Sequence, residues 1–116
     1  MTKTEHPAYF EQQHERLDAQ LRAHLLDVVG GDFAGALQRL QQWRRDLDRH
    51  TEIENARLLP HVPEGARWAA RVYLLEHERI ALLADEYQQR VQAVINHPPQ
   101  DEQARRRAVL VLLDAA

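Results

Sequence analysis

Apolar residues recur at alternating intervals of three and four along three long segments of this 116-residue chain. That spacing returns side chains to one face of an α-helix, whereas a half-buried strand needs an interval of two. The segments are rich in Ala, Leu, Arg, Gln and Glu, which are strong helix formers. The pattern therefore predicts an all-α protein.

Glycine and proline interrupt the helical pattern at 30–31, 60–63 and 98–99, which predicts four helices in a single domain spanning 1–116. Asp32 is a good N-cap for the second helix. Short connections make neighbouring helices antiparallel, so the predicted fold is an up-down-up-down four-helix bundle. Its fourth helix is short or truncated, and its apolar face, 109–113, contains no histidine. The predicted helices are approximately 5–29, 33–59, 64–96 and 100–116.

Composition excludes several classes of function. The chain has no cysteine, which rules out disulfides, thiolate metal sites and thiol catalysis. Its formal net charge of −3 is too small to indicate a nucleic-acid or acidic-lipid partner, and the one basic run, 105–107, is predicted to be a solvated face. No signal peptide is evident, and no apolar run approaches the ~20 residues needed to span a membrane. We expect a soluble, cytoplasmic protein.

Four polar residues occupy stripe positions where the pattern calls for an apolar side chain. They are His14 in the first helix, His50 and Glu54 in the second, and His77 in the third. A buried carboxylate without a partner costs several kcal/mol, and a buried imidazole needs partners on both ring nitrogens. A metal cation would satisfy these groups together, so the four residues are candidate metal ligands.

The spacing of His50 and Glu54 places both side chains on one face of a helix, where they can reach one ion or two adjacent ions. Taken singly, each of the four residues is more often an ordinary core or surface side chain. Their convergence from three helices is what favours a metal site.

We predict no metal-ligand role for the remaining histidines or for the aromatic residues. Solvent, cap or turn roles are predicted for His6, His24, His61 and His97. Core packing is predicted for Trp43, Trp68, Tyr73 and Tyr87, with a hydroxyl contact to the metal site as the alternative for Tyr73.

The stretch from His50 to Pro60, HTEIENARLLP, resembles the signature of the hemerythrin or HHE cation-binding family, in which a Glu follows the His by four residues and a Leu-x-Pro-like helix end comes soon after. The segments HERL at 14–17 and HERI at 77–80 resemble the isolated ligands of helices 1 and 3. They nearly repeat each other, as two similar hairpins would. The resemblance covers about residues 8–96.

The resemblance implies a non-haem iron centre in the bundle core that binds or senses O₂, NO or iron. His14 and His50 would ligate one iron, Glu54 would bridge two irons, and His77 would belong to the second. The family also takes a His and a carboxylate from helix 4. Their expected place, near position 113, holds Leu113 and Asp114 in this chain.

Two explanations of this departure stay open. The natural chain continues to a second His-x-x-x-Glu motif, or the site is partial. A partial site would hold one iron, manganese or zinc ion, or would be completed by a second subunit of a homodimer. The functional alternative is a metal-free helical interaction or dimerisation module that retains a partial site. An oxidase or peroxidase is less favoured, because those di-iron enzymes use paired Glu-x-x-His motifs and this chain has no such pair.

Overall fold

The computed structural model describes residues 7–63, 65 and 69–116 of the chain. Within these ranges the all-α prediction is confirmed, since the chain forms helices and no β-strand. None of the described helices is both long and apolar enough to cross a membrane. The four α-helices are α1 (Pro7–Val29), α2 (Phe33–Ile53), α3 (Ala70–Asn96) and α4 (Glu102–Ala115), and a π-helical turn (Glu54–Leu58) and a 3₁₀ turn (Leu59–His61) continue α2.

Two aspartates begin helices as N-caps. The side chain of Asp32 accepts a hydrogen bond from the backbone N–H of Gly35 at 3.0 Å, which confirms its predicted role at the start of α2. Asp101 does the same for α4, accepting from the N–H of Ala104 at 2.7 Å. Each bond satisfies one of the N–H groups that the first helical turn leaves unpaired.

The third helix begins later than predicted. The expected start was position 64, but α3 begins at Ala70, with Ala69 in an extended conformation (φ −70°, ψ 154°). Gly65 lies in a turn two residues after Pro63, and glycine disfavours a helix interior. Positions 64 and 66–68, with the predicted core residue Trp68, lie outside the described residues.

Gly31 and Arg105 hold α4 against the turn between α1 and α2. Gly31 has a φ of 76°, a left-handed conformation that favours glycine. The guanidinium of Arg105 crosses this turn and donates to the carbonyl of Gly30 at 2.6 Å. A Cβ atom on Gly31 would lie 2.1 Å from Nε of Arg105, so the positive φ favours glycine and any larger residue would also displace the Arg105 guanidinium.

Polar contacts join α1 to α2 at several points along their lengths. Along α1 towards its C-terminus, successive partners in α2 come from progressively earlier positions. The partner of Gln20 is Asp46 at 2.6 Å, and the partner of Asp27 is Arg39, also at 2.6 Å. Helix α2 also packs against α3, and α4 contacts both α1 and α3.

Arg44 joins α2 to α3. Its Nη1 donates to Asp85 at 2.6 Å and to the carbonyl of Ala81 at 3.3 Å. Its Nε donates to Asp48 at 2.9 Å, one turn along its own helix. Because the guanidinium is only 19% exposed and engages three acceptors, it sets the position of α3 along α2.

The buried core lies at the end of the molecule where all four α-helices meet. Helix α4 has 14 residues against 27 in α3, so the first half of α3 is left uncovered by it. Tyr73 and Ile80 are consequently 37% and 42% exposed, although their stripe predicts burial. Leu110 is also exposed, because it lies about 160° around α4 from the buried Leu112. The core cluster comprises Val28, Ala36, Leu40, Tyr87, Val91 and Leu112.

Candidate metal centre

Glu54 is the first residue of the π-helical turn, and its carboxylate lies among three histidines from three helices. Oε1 contacts Nε2 of His50 and lies 3.4 Å from Nε2 of His14. Oε2 lies 3.1 Å from Nε2 of His77. The side chain of Glu54 is only 13% exposed. Its two oxygens therefore face different histidines, as the oxygens of a bridging carboxylate would.

His14 and His50 meet on the Oε1 side of Glu54. Their Nε2 atoms are 2.9 Å apart, and their rings pack edge to face with centroids 4.6 Å apart. One ligand atom from each histidine and one oxygen of Glu54 all lie within 4.8 Å of one another. A cation of the first transition series takes such nitrogen and oxygen donors at about 2.0–2.2 Å. The donor set fits a metal ion that would replace these direct contacts.

The two histidines differ in burial. His50 is buried, but the side chain of His14 is 62% exposed, so the expectation that His14 lies in a buried stripe is wrong. His14 belongs to the first half of α1, away from the end where α4 completes the core. It therefore forms the solvent-facing rim of the candidate site.

The imidazole of His77 is held at both nitrogens by two consecutive residues. Nε2 faces Oε2 of Glu54, and Nδ1 lies 2.7 Å from Oδ1 of Asn55. When Nδ1 carries the proton, it donates to Asn55 and leaves the lone pair of Nε2 for a cation. Outer partners of this kind commonly orient metal-bound histidines. With a cation bound at Nε2, Asn55 would hold His77 in the tautomer that a metal ligand needs.

The π-helical turn explains how neighbouring residues reach one ring. Here the N–H of Leu59 bonds to the carbonyl of Glu54, five residues back, instead of four as in an α-helix. The wider turn reduces the angle between successive side chains, so Glu54 and Asn55 both face His77. Sequence reasoning missed Asn55, because in a regular α-helix it would point about 100° away from Glu54.

The histidines keep Glu54 ionised. Burial by itself raises the pKa of this carboxyl group. The hydrogen bond with His50 and the charges of His50, His77 and His14 outweigh burial, and they hold the pKa of Glu54 below its ordinary value. An ionised carboxylate is the form that binds a cation.

The site opens into a cavity of about 430 Å³ whose remaining wall is mainly apolar. A second cavity of about 340 Å³ lies beside it and shares the side chains of Leu21, Trp43 and Ile80. The two cavities thus share an apolar wall of three side chains.

His24 was predicted to take a solvent, cap or turn role, but it is fully buried. Its Nδ1 lies 2.7 Å from the carbonyl of Ala36, and its Nε2 lies 2.6 Å from the hydroxyl of Tyr87. Burial lowers the pKa of His24, although the bond to Ala36 and the charge of Asp27 oppose this, and it raises the pKa of Tyr87 to about 12. Positions 17, 21, 24 and 28 also follow helical spacing, so the sequence did contain a pattern that places His24 on a buried face.

Of the other sequence predictions, some are confirmed and some are wrong. His61 and His97 are exposed, as predicted, while His6 lies outside the described residues. Tyr73 is 37% exposed, so its predicted core packing is wrong, and it does not line the site cavity. Of the residues that the structure describes, Asp114 stays exposed and none from α4 joins the cluster around Glu54.

In comparisons with known proteins, no family model, no curated protein and no solved structure matches this chain. The class that fold and site define is an all-α domain whose His and Glu side chains form a group able to hold a metal ion.

Proposed function

We propose that this chain is a metal-binding helical-bundle domain that holds non-haem iron through His14, His50, Glu54 and His77. The observation that carries the proposal is that Glu54 presents a separate oxygen to histidines of different helices. A helical protein of this size has no packing need for three imidazoles and a carboxylate in one contact cluster. A cation gives all four a common partner.

The geometry supports two adjacent cation positions. One lies between Oε1 of Glu54 and the imidazoles of His14 and His50, and the other between Oε2 and His77. Mixed imidazole and carboxylate ligation suits iron, and it also suits manganese and zinc. Four protein ligands leave coordination positions open. Water, O₂ or NO would occupy them, or further ligands from a second subunit.

The proposed role is to bind or sense O₂, NO or iron rather than to turn over a substrate. The order of contacts between helices supports an up-down-up-down four-helix bundle, and the HTEIENARLLP motif supports a hemerythrin-like centre within it. When bound, iron would supply the coordination of the diatomic molecule. The apolar side chains around the cavity would suit a small, uncharged molecule of this kind.

Anaerobic reconstitution with Fe(II) tests the proposal. Purified protein should retain one to two irons per chain after gel filtration, and iron should raise its melting temperature. His50→Ala should weaken iron binding by roughly 100-fold or more and abolish the thermal shift. His97→Ala, at an exposed histidine, is the matched control and should bind iron like the wild type.

A metal-free helical interaction module is the second candidate. It is favoured by the contacts that His14 makes with His50, and His77 with Asn55, which pair these polar groups without an ion. On this alternative the wild type stays metal-free in iron-rich medium, and His50→Ala changes the stability of the apo protein. Those results would replace the first proposal with the second.

A further inference from the structure

The first half of α3 carries an exposed apolar side that adjoins the side facing the metal centre, and Ile80 belongs to both. Six residues at relative positions 0, 3, 4, 7, 8 and 11 line one surface groove, and that spacing defines a single helix side. The four apolar members are 38–52% exposed, and the two charged members are also exposed. We call this set the α3 groove, and it consists of Val72, Leu75, Glu76, Arg79, Ile80 and Leu83.

The spacing of the residues in the α3 groove is the same from either end of the helix. Its members follow one another at intervals of three, one, three, one and three, with the centre between His77 and Glu78. Apolar residues occupy both ends. At the middle the charge changes sign, because Glu76 stands on one side of the centre and Arg79 on the other.

We propose that α3 pairs with α3 of a second copy of this chain, antiparallel, about a two-fold axis between His77 and Glu78. In this arrangement Glu76 faces the partner's Arg79, and the two-fold axis repeats that ion pair. Leu75 meets the partner's Ile80, and Val72 meets the partner's Leu83. Such a self-complementary patch is what an isologous dimer requires. The pairing needs no metal, so it stands or falls separately from the proposed function.

The charges identify the occupant of the α3 groove. A membrane surface or an unrelated apolar helix would use only the four apolar residues. A parallel copy in register would place Glu76 against Glu76 and Arg79 against Arg79, which is repulsive. Only the antiparallel copy pairs both charges while it covers all four apolar side chains.

Neighbouring leucines provide a matched test. Leu75 lies in the α3 groove and is 52% exposed, whereas Leu74 is 41% exposed and lies outside it, towards the opposite side of the helix. Sedimentation over about 1 µM to 1 mM should show a monomer–dimer equilibrium for the wild type. Leu75→Arg should weaken dimerisation about tenfold or more, while Leu74→Arg leaves it within about threefold. Circular dichroism of both variants checks that they remain folded.

A charge exchange tests the orientation with little risk to the fold. Glu76→Arg and Arg79→Glu should each weaken the dimer, because each creates two like-charge contacts. The double variant should restore the wild-type dissociation constant to within about threefold.

Since the natural chain has no cysteine, engineered ones report distances. Val72→Cys mixed with Leu83→Cys should cross-link faster than Val72→Cys alone, whose two sulfurs would lie about 16 Å apart along the helix. A wild type that is monomeric throughout overturns the proposal. So does equal weakening by both arginine variants, or a double variant that is not restored.

Discussion

Oε2 of Glu54 lies 3.1 Å from Nε2 of His77 and joins the end of α2 to the first half of α3 across 23 residues of sequence. The same carboxylate uses its other oxygen for His50. Removing its charge would therefore affect both proposed cation positions at once. Glu54 contacts all three histidines of the cluster.

Glu54→Gln should weaken metal binding by about 100-fold or more, because a neutral amide is a poor substitute for a carboxylate ligand. Titration calorimetry with Zn²⁺ gives the affinity without redox chemistry. Glu52→Gln, two residues earlier and exposed, removes the same charge outside the cluster and should bind Zn²⁺ like the wild type. Equal affinities for the two variants would show that Glu54 is not a ligand.

Asn55→Leu should lower Zn²⁺ affinity about 10- to 100-fold, since it removes the acceptor that fixes the His77 ring. Asn55→Asp keeps an oxygen acceptor and should bind within about threefold of the wild type. Nitrogen chemical shifts of His77 provide a second measurement, with Nδ1 protonated in the zinc-bound wild type. Asn96→Leu, an exposed site on the same helix as His77, controls for the substitution itself. Unchanged affinity and ring protonation in Asn55→Leu would refute the positioning role.

The buried His24 should make the protein less stable in mild acid. Its pKa is lowered in the folded state, so below the unfolded value of 6.5 the unfolded chain takes up a proton that the folded chain resists. As the pH falls, this group should lower the free energy of unfolding by up to about 1.4 kcal/mol per pH unit, until the folded pKa is reached. Urea denaturation between pH 7.5 and 5.5 measures this.

His24→Gln is the comparison for that titration, because it removes the titrating group. The difference in unfolding free energy between wild type and variant should shrink as the pH falls from 7.5 to 5.5. A difference that is constant over this range would mean that the folded and unfolded pKa values of His24 are equal.

Gly31→Ala should destabilise the protein by about 1–2 kcal/mol or more, because a Cβ is strained at its positive φ and also meets Arg105. Gly30→Ala is the control, since a Cβ at Gly30 meets only ordinary contacts of 3.5 and 3.6 Å. Thermal denaturation of both variants checks the difference. Equal melting temperatures would contradict the left-handed conformation of Gly31.

Periodicity predicted much of this fold, because it depends on which positions face inward along each helix. It placed His50 and Glu54 on one face of a helix, where the structure has them in contact. It also identified His77 as a candidate, and that histidine contacts Glu54. The C-termini of α1 and α3 followed from the glycine and proline breaks.

Periodicity failed where the helix departs from 3.6 residues per turn. It also failed where two neighbouring residues both fit inward-facing positions. Asn55 reaches His77 only through a π-helical turn, which no interval in the sequence reveals. His24 and Leu25 both fit a stripe in α1, and only packing against Tyr87 decides that His24 is the buried one. Ile80 fits a core stripe, yet it is exposed because α4 ends before it covers that part of α3.

The most direct test of the metal centre is anomalous diffraction from crystals grown with Zn²⁺ or with Fe(II) under anaerobic conditions. We expect a strong anomalous peak within about 2.0–2.2 Å of Oε1 of Glu54 and Nε2 of His50, and a second peak, where occupied, between Oε2 and His77. No peak beside Glu54, or peaks only at the exposed His61 and His97, would contradict it.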